Sequence, residues 1–304
     1  TGDQMRRAGT GAAHLVTGHL REHQALEEEL ADFTGRESAL LFSTGYMANL
    51  GAPLAFASRG EVILQDRLNH ASLLDGAQLS GARLLRYAHV CVDDAAVRLE
   101  SADAAVSLIA TDGVFSMDGT IAPVAELAAL ARQHRAWLLV DDAHGLGVLG
   151  SKGGGVLQAT GLGADDVPLL VGTLGKAFGS FGAFVAGDRD VIDLLMQRAR
   201  TFIYTTALPP AVAAATRASL RLLRDEGWRR DRLQDLVTRF RSGCAAAGVT
   251  LAASTTPIQP VILGESAHCL AASEALRVAG YRVSAAGVPA GLGTEPARVR
   301  CAGR

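Results

Sequence analysis

The stretch LLVGTLGKAFGSFGAFVAG, Leu169 to Gly187, sets one lysine, Lys176, in a bed of glycine, alanine and serine between two apolar runs. Desolvating an unpaired ammonium is costly, so a lysine here is placed for chemistry, namely attack on a carbonyl to form a Schiff base. In WLLVDDAHG, Asp141, Asp142 and His144 come directly after four apolar residues. Read as a buried strand, that run puts them at its carboxyl end, where open α/β sheets hold ligands. The plainer reading of DDAHG is an Asp-rich turn or helix cap, but Asp141 still belongs to the strand and calls for a cationic or protonated partner.

LLFSTGYMANL reads as strand, Ser43-Thr44-Gly45, then helix, which aims amide groups and a helix dipole at one point and suits an anion. Ordinary strand-to-helix turns look the same. DRLNHASLLDGAQLSG reads as a helix capped by Asn69 and stopped at Gly81; His70 in its first turn is more often a surface or capping histidine. Two lookalikes drop out. GLGVLG, Gly145 to Gly150, follows a strand as a dinucleotide fingerprint must, but SKGGGVLQATG behind it is too glycine-rich to begin the helix that would hold a pyrophosphate. GTLGK has Leu170 and Ala177 where a Walker loop needs glycine and serine or threonine. The remaining pieces describe one ligand, with a phosphate for the helix start, a basic nitrogen for Asp141, a flat ring for His70 to cover and an aldehyde for Lys176. That ligand is pyridoxal 5'-phosphate.

The elements that position these groups are short apolar runs alternating with helical patterns. The runs are Ala39 to Phe42, Glu61 to Gln65, Arg83 to Tyr87, Val106 to Thr111, Trp137 to Asp141, Leu169 to Thr173 and Gly182 to Ala186. Leu26, Leu30 and Phe33 share a helical face, as do Val124, Leu127 and Ala131 behind Pro123. Runs without polar alternation suit strands covered on both faces, which predicts an α/β class with a mostly parallel sheet. Only GSF separates the lysine segment from the last run, too little for a crossover helix, so that strand is expected to return antiparallel. Gly51 and Pro53 predict a short or kinked helix after Thr44. Beyond Tyr204 a long alanine-rich helix starts behind Pro209 and Pro210, and a second domain is expected near Leu223.

Composition narrows the classes further. With 304 residues, 49% hydrophobic and 20% charged, the chain reads as globular, and a net charge of -2 gives no handle on nucleic acid or anionic membrane. Cys91, Cys244, Cys269 and Cys301 are scattered, which argues against zinc, against a disulfide framework and for a reducing cytoplasm. No apolar run is long enough for a membrane span. The sequence opens on Thr1, so the start of the gene product is expected to lie outside it.

HASLLDGAQLSGARLLRYAH, TDGVFSMDGTIAPVAEL, VDDAHGLGVLG, GTLGKAFGSFGA and FIYTTALPP, in this order, resemble the α-oxoamine synthases among the fold-type I pyridoxal-phosphate enzymes, nearly unbroken from about Leu15 to Leu263. The resemblance implies a three-layer α/β/α transferase with a mostly parallel seven-stranded sheet. It implies a cofactor domain over 1–222 and a smaller α+β domain over 223–304. DDAHG with VFSMDG favours the members that join L-alanine to a pimeloyl thioester, with loss of carbon dioxide, over those that make aminolevulinate, 2-amino-3-ketobutyrate or ketosphinganine. By resemblance, Lys176 carries the cofactor and removes the Cα proton, Asp141 pairs with the ring nitrogen, His144 bonds the ring oxygen, and His70 stacks on the ring. Ser116 lies near the ring oxygen, and Asp112 stands where the family often has glutamate. Gly45, Tyr46 and Thr173 hold the phosphate; Thr205 and Thr206 reach the cofactor of the other subunit in a homodimer.

The chain departs from the family at its ends. An NDYLG-type arm is not present before Thr1, RRAGTGAAHL replaces a stretch richer in glycine and serine, and PARVRCAGR only partly resembles the segment whose second arginine binds substrate carboxylate. Arg300 matches that arginine by position. The competing readings are a glycine C-acetyltransferase-type relative, a non-catalytic scaffold subunit of the same fold, which tends to lose the lysine, and a nicotinamide enzyme built on GLGVLG. The acyl carrier, coenzyme A or acyl carrier protein, stays open.

Overall fold

The computed structural model describes residues 9–286 and 297–301. All seven apolar runs form strands of one sheet: β1 Ser38–Phe42, β2 Val62–Asp66, β3 Arg83–Tyr87, β4 Val106–Asp112, β5 Trp137–Asp141, β6 Leu169–Thr173 and β7 Ala183–Gly187. Their order is β1-β7-β6-β5-β4-β2-β3. Strands β3, β2, β4, β5 and β6 pair in parallel, and β7 pairs antiparallel with both β6 and β1, as the short GSF connection requires.

Helices cover both faces: α1 Arg21–Thr34, α2 Gly45–Phe56, α3 Ala71–Ser80, α4 Val92–Glu100, α5 Val124–His134, α6 Gly155–Thr160, α7 Arg189–Arg198, α8 Arg200–Ile203 and α9 Pro210–Asp225. Successive residues of one strand enter different cores. Leu40, Phe42, Ala183 and Val185 pack with Ala48, Ala52 and Leu195, whereas Ala39, Leu41, Phe184 and Ala186 pack with Leu26, Leu30, Ala213 and Leu220. This two-sided burial is why β1 and β7 carry no polar alternation.

Two expectations about helix starts are corrected. His70, not Asn69, caps α3: Asn69 Nδ2 donates to Ala110 O at 2.8 Å and its Oδ1 accepts from Asp112 N at 3.1 Å, so it is held by β4. The glycine-rich run after GLGVLG does begin a helix, the six-residue α6, but its Val156 N–H donates to Asp142 Oδ2 at 2.7 Å. An internal carboxylate takes the place a pyrophosphate would need. Pro53 lies inside α2, which nonetheless runs on to Phe56.

The chain divides into two compact units, one of Thr1–Val114 with Ile121–Gly227, the other of Phe115–Thr120 with Trp228–Arg304. The second contains α10 Trp228–Ala246, α11 Ser266–Val278 and a sheet of β8 Gln259–Gly264, β9 Val283–Ala286 and β10 Ala297–Cys301 in the antiparallel order β8-β10-β9. Cys269 of α11 packs there against Val261, Leu263, Val283 and Ala285. The 115–120 turn is held within this unit by Ser254 and Thr256, whose hydroxyls donate to Gly119 O at 3.1 and 3.3 Å.

Candidate functional site

The candidate groups gather at the carboxyl ends of the parallel strands. In-register pairing sets Asp112, last in β4, beside Asp141, last in β5. Asp141 Oδ2 accepts from Asn49 Nδ2 at 2.6 Å and its Oδ1 from Ala143 N at 3.0 Å. Asp112 Oδ2 accepts the backbone N–H of His70 at 3.0 Å. Burial, and then the neighbouring Asp141 charge, raise the Asp112 carboxyl well above the ordinary range.

Lys176 lies in the loop between β6 and β7. Gly179 N donates to Lys176 O at 2.9 Å and Ser180 N to Leu174 O at 2.9 Å, while the buried Leu174 and Phe178 root the loop in the core. Lys176 Nζ is 2.9 Å from His144 Nε2. The glycine loop serves this arrangement: a Cβ on Gly147 would stand 2.6 Å from that of Ala177, so only glycine lets the two loops meet.

At the start of α2, Thr44 Oγ1 accepts Met47 N at 3.2 Å, leaving the amides of Gly45 and Tyr46 outside the helix ladder. A Cβ on Gly45 would lie 3.9 Å from Thr173 Oγ1, so the first amide of α2 and that hydroxyl are side by side. Tyr46 Oη donates to Asp75. Ser43 Oγ donates to Thr206 O at 3.2 Å, and Thr205 Oγ1 donates to Thr201 O. Lys176, His144, Asp141, His70, Gly45, Tyr46, Thr173, Thr205 and Thr206 thus all belong to the first unit. Ser116 lies in the 115–120 turn of the second unit; Arg300 pairs in β10 with Ser284 and Pro260.

Asp142 takes no part in the open site. It is fully buried, and a Cβ on Gly155, Gly145 or Gly113 would lie within 2.8 Å of its carboxylate oxygens. Burial pushes its carboxyl up to about 8. Asn49, 2% exposed, was missed by sequence reasoning because one amide in an alanine- and glycine-rich helix carries no pattern.

His14, His19 and His23 also cluster, with one nitrogen of each within 4.8 Å of the others. His23 is committed at both nitrogens: Nδ1 accepts Leu20 N at 2.9 Å, and Nε2 donates to Leu208 O at 2.5 Å. It therefore has no lone pair for a metal, and it ties α1 to Leu208 in the segment before α9.

The model of class I and II aminotransferases matches residues 3–304. The chain is 65% identical over 278 residues to an 8-amino-7-oxononanoate synthase of Alkalilimnicola ehrlichii, covering 91% of this chain and 71% of that one. The chain belongs to the 8-amino-7-oxononanoate synthase family. A Methylococcus capsulatus member is 61% identical, with 91% and 72% coverage. Among solved structures, a Sphingomonas wittichii serine palmitoyltransferase superposes with a TM-score of 0.91 at 35% identity, covering 97% of this chain and 74% of that one. The 8-amino-7-oxononanoate synthase of Francisella tularensis gives 0.82 at 34%, with 93% and 81% coverage. A serine palmitoyltransferase with pyridoxal phosphate as internal aldimine gives 0.92 at 34%, with 97% and 74% coverage. The cofactor of the family is pyridoxal phosphate, and the donor set described above fits it: a lysine amine, a strand-end carboxylate, and a helix start beside a hydroxyl.

Proposed function

We propose that the protein condenses L-alanine with a pimeloyl thioester to give 8-amino-7-oxononanoate in biotin biosynthesis. A carbon–carbon bond forms between the alanine Cα and the acyl carbonyl, the carbon–sulfur bond breaks with release of thiol, and the alanine carboxyl leaves as carbon dioxide. The observation that carries this reading is the Lys176–His144 contact at 2.9 Å in a site whose Asp141 closes the neighbouring strand; membership of the family supplies the substrates.

Pyridoxal phosphate supplies the electron sink that makes a carbanion at the amino-acid Cα accessible. The Lys176 amine holds the cofactor and moves the Cα proton, with His144 Nε2 as its hydrogen-bond neighbour. Asp141 pairs with the ring nitrogen, His144 bonds the ring oxygen, and His70 covers the ring face. Gly45, Tyr46 and Thr173 hold the phosphate, Thr205 and Thr206 serve the site of a second subunit, Ser116 meets the ring oxygen and Arg300 the substrate carboxylate. The first unit acts as the cofactor domain and the second as the smaller domain. Among the described residues no helix is long and apolar enough to cross a membrane, and Cys91, Cys244 and Cys269 are unpaired, which supports work in a reducing cytoplasm.

The test is a product assay. The cofactor-loaded protein is given L-alanine with pimeloyl-coenzyme A in one arm and pimeloyl-acyl carrier protein in the other, with glycine and acetyl-coenzyme A as a control. 8-Amino-7-oxononanoate in either first arm supports the reading, and turnover in the control alone assigns the chain to the glycine-using relatives. No turnover in any arm favours the scaffold.

A further inference from the structure

We propose that Asn49 is a positioning residue that couples Asp141 and His70 into one unit and so fixes how both meet the cofactor ring; this rests on the cofactor reading above. Both hydrogens of its side-chain amide are committed, one to Asp141 Oδ2 at 2.6 Å and the other to Ser72 Oγ at 2.9 Å. Ser72 Oγ lies 2.6 Å from His70 Nδ1, and Ser72 N–H points at the same nitrogen at 3.3 Å. Two donors thus meet at Nδ1. With the Ser72 N–H directed at it, Nδ1 is an acceptor, so the Ser72 hydroxyl, which accepts from Asn49, donates its one hydrogen to Nδ1, and the ring's own hydrogen sits on Nε2.

The reverse orientation of the amide would bring Oδ1 against a carboxylate oxygen at 2.6 Å, so the charge of Asp141 selects the orientation. The helix pair fixes the spacing. A Cβ on Gly76 would stand 2.4 Å from Asn49 O, so glycine lets α3 lie close enough to α2 for Asn49 to reach Ser72. Among the described residues, the other bond to the Asp141 carboxylate comes from its own turn, the Ala143 N–H at 3.0 Å. Asn49 is therefore what ties that carboxylate to another element, and it holds the His70 tautomer through the same amide.

The test uses the holoenzyme loaded with cofactor labelled with nitrogen-15 in the ring, whose signal reports ring protonation, together with cofactor affinity of the apoprotein. Asn49→Leu removes both donors at similar volume, and Asn49→Ser, too short to reach Asp141, serves if the leucine variant does not fold. Ser72→Ala cuts only the His70 arm. The Asn49 variants are expected to move the ring-nitrogen signal towards the unprotonated position and weaken cofactor affinity about tenfold. Ser72→Ala is expected to leave the ring nitrogen alone while changing the nitrogen-15 tautomer pattern of labelled His70. Folded Asn49 variants with lowered stability but an unmoved ring signal would show a merely structural residue and overturn the proposal. If Asp141→Asn itself leaves the ring signal unmoved, the assignment of Asp141 fails and takes this one with it.

Discussion

Adjacent aspartates have opposite surroundings. Asp141 stands at the strand end with two N–H donors, and Asp142 is sealed under glycines with its Oδ2 accepting the Val156 N–H at 2.7 Å. Asp141→Asn is expected to keep the fold and lower turnover on the order of a hundredfold or more, because a charge aimed at the ring is lost. Asp142→Asn should retain cofactor and activity but alter the pH dependence of stability. With the Asp142 carboxyl pushed up to about 8 when folded and near the ordinary value of about 4 when unfolded, the folded chain binds the extra proton between those values. Stability from this group is therefore full below about pH 4 and falls as pH rises to about 8. Urea midpoints measured from pH 5 to 8 should decline less steeply in Asp142→Asn than in the wild type; equal slopes would contradict the assignment. Strand register made Asp141 legible in the sequence. Asn49 and the Asn69–His70 exchange of capping roles were not, because each depends on partners far along the chain.

The elements were the most legible level. All seven strands appear where apolar runs predict them; those covered on both faces are apolar at successive positions, whereas the edge strand β3 exposes Arg83 and Arg86. The loop helix α6 was hidden because its first residue, Gly155, has φ +78° and reads as a breaker, yet it is demanded by packing: a Cβ there would lie 1.8 Å from Asp142 Oδ2. Gly155→Ala should therefore cost on the order of 3 kcal/mol. Gly161→Ala, at φ +73° with open space around its Cβ position, should cost about 1 kcal/mol, the backbone conformation alone. Denaturant unfolding of the two variants checks the difference, and equal losses would mean that the carboxylate does not fill the space beneath the glycine loop.

At the scale of the whole molecule, the short turn 115–120 joins the second unit although the sequence places it amid the first, a partition set by contacts to Ser254 and Thr256 that no local pattern announces. Subunit sharing is tested by mixing a Lys176→Ala chain with a Thr205→Ala/Thr206→Ala chain. If the threonines serve the neighbouring subunit, each mixed dimer has one intact site, and random exchange of equal amounts should return roughly a quarter of wild-type activity. No recovery after proven exchange would place the threonines in their own subunit's site. Beneath all of these lies the claim that Lys176, rooted between β6 and β7 beside His144, is the residue that holds the cofactor. Borohydride reduction of the loaded protein followed by peptide mapping measures it directly. The pyridoxyl group should be found on the peptide containing Lys176, whereas a label on Lys152 in the neighbouring glycine loop would contradict the account.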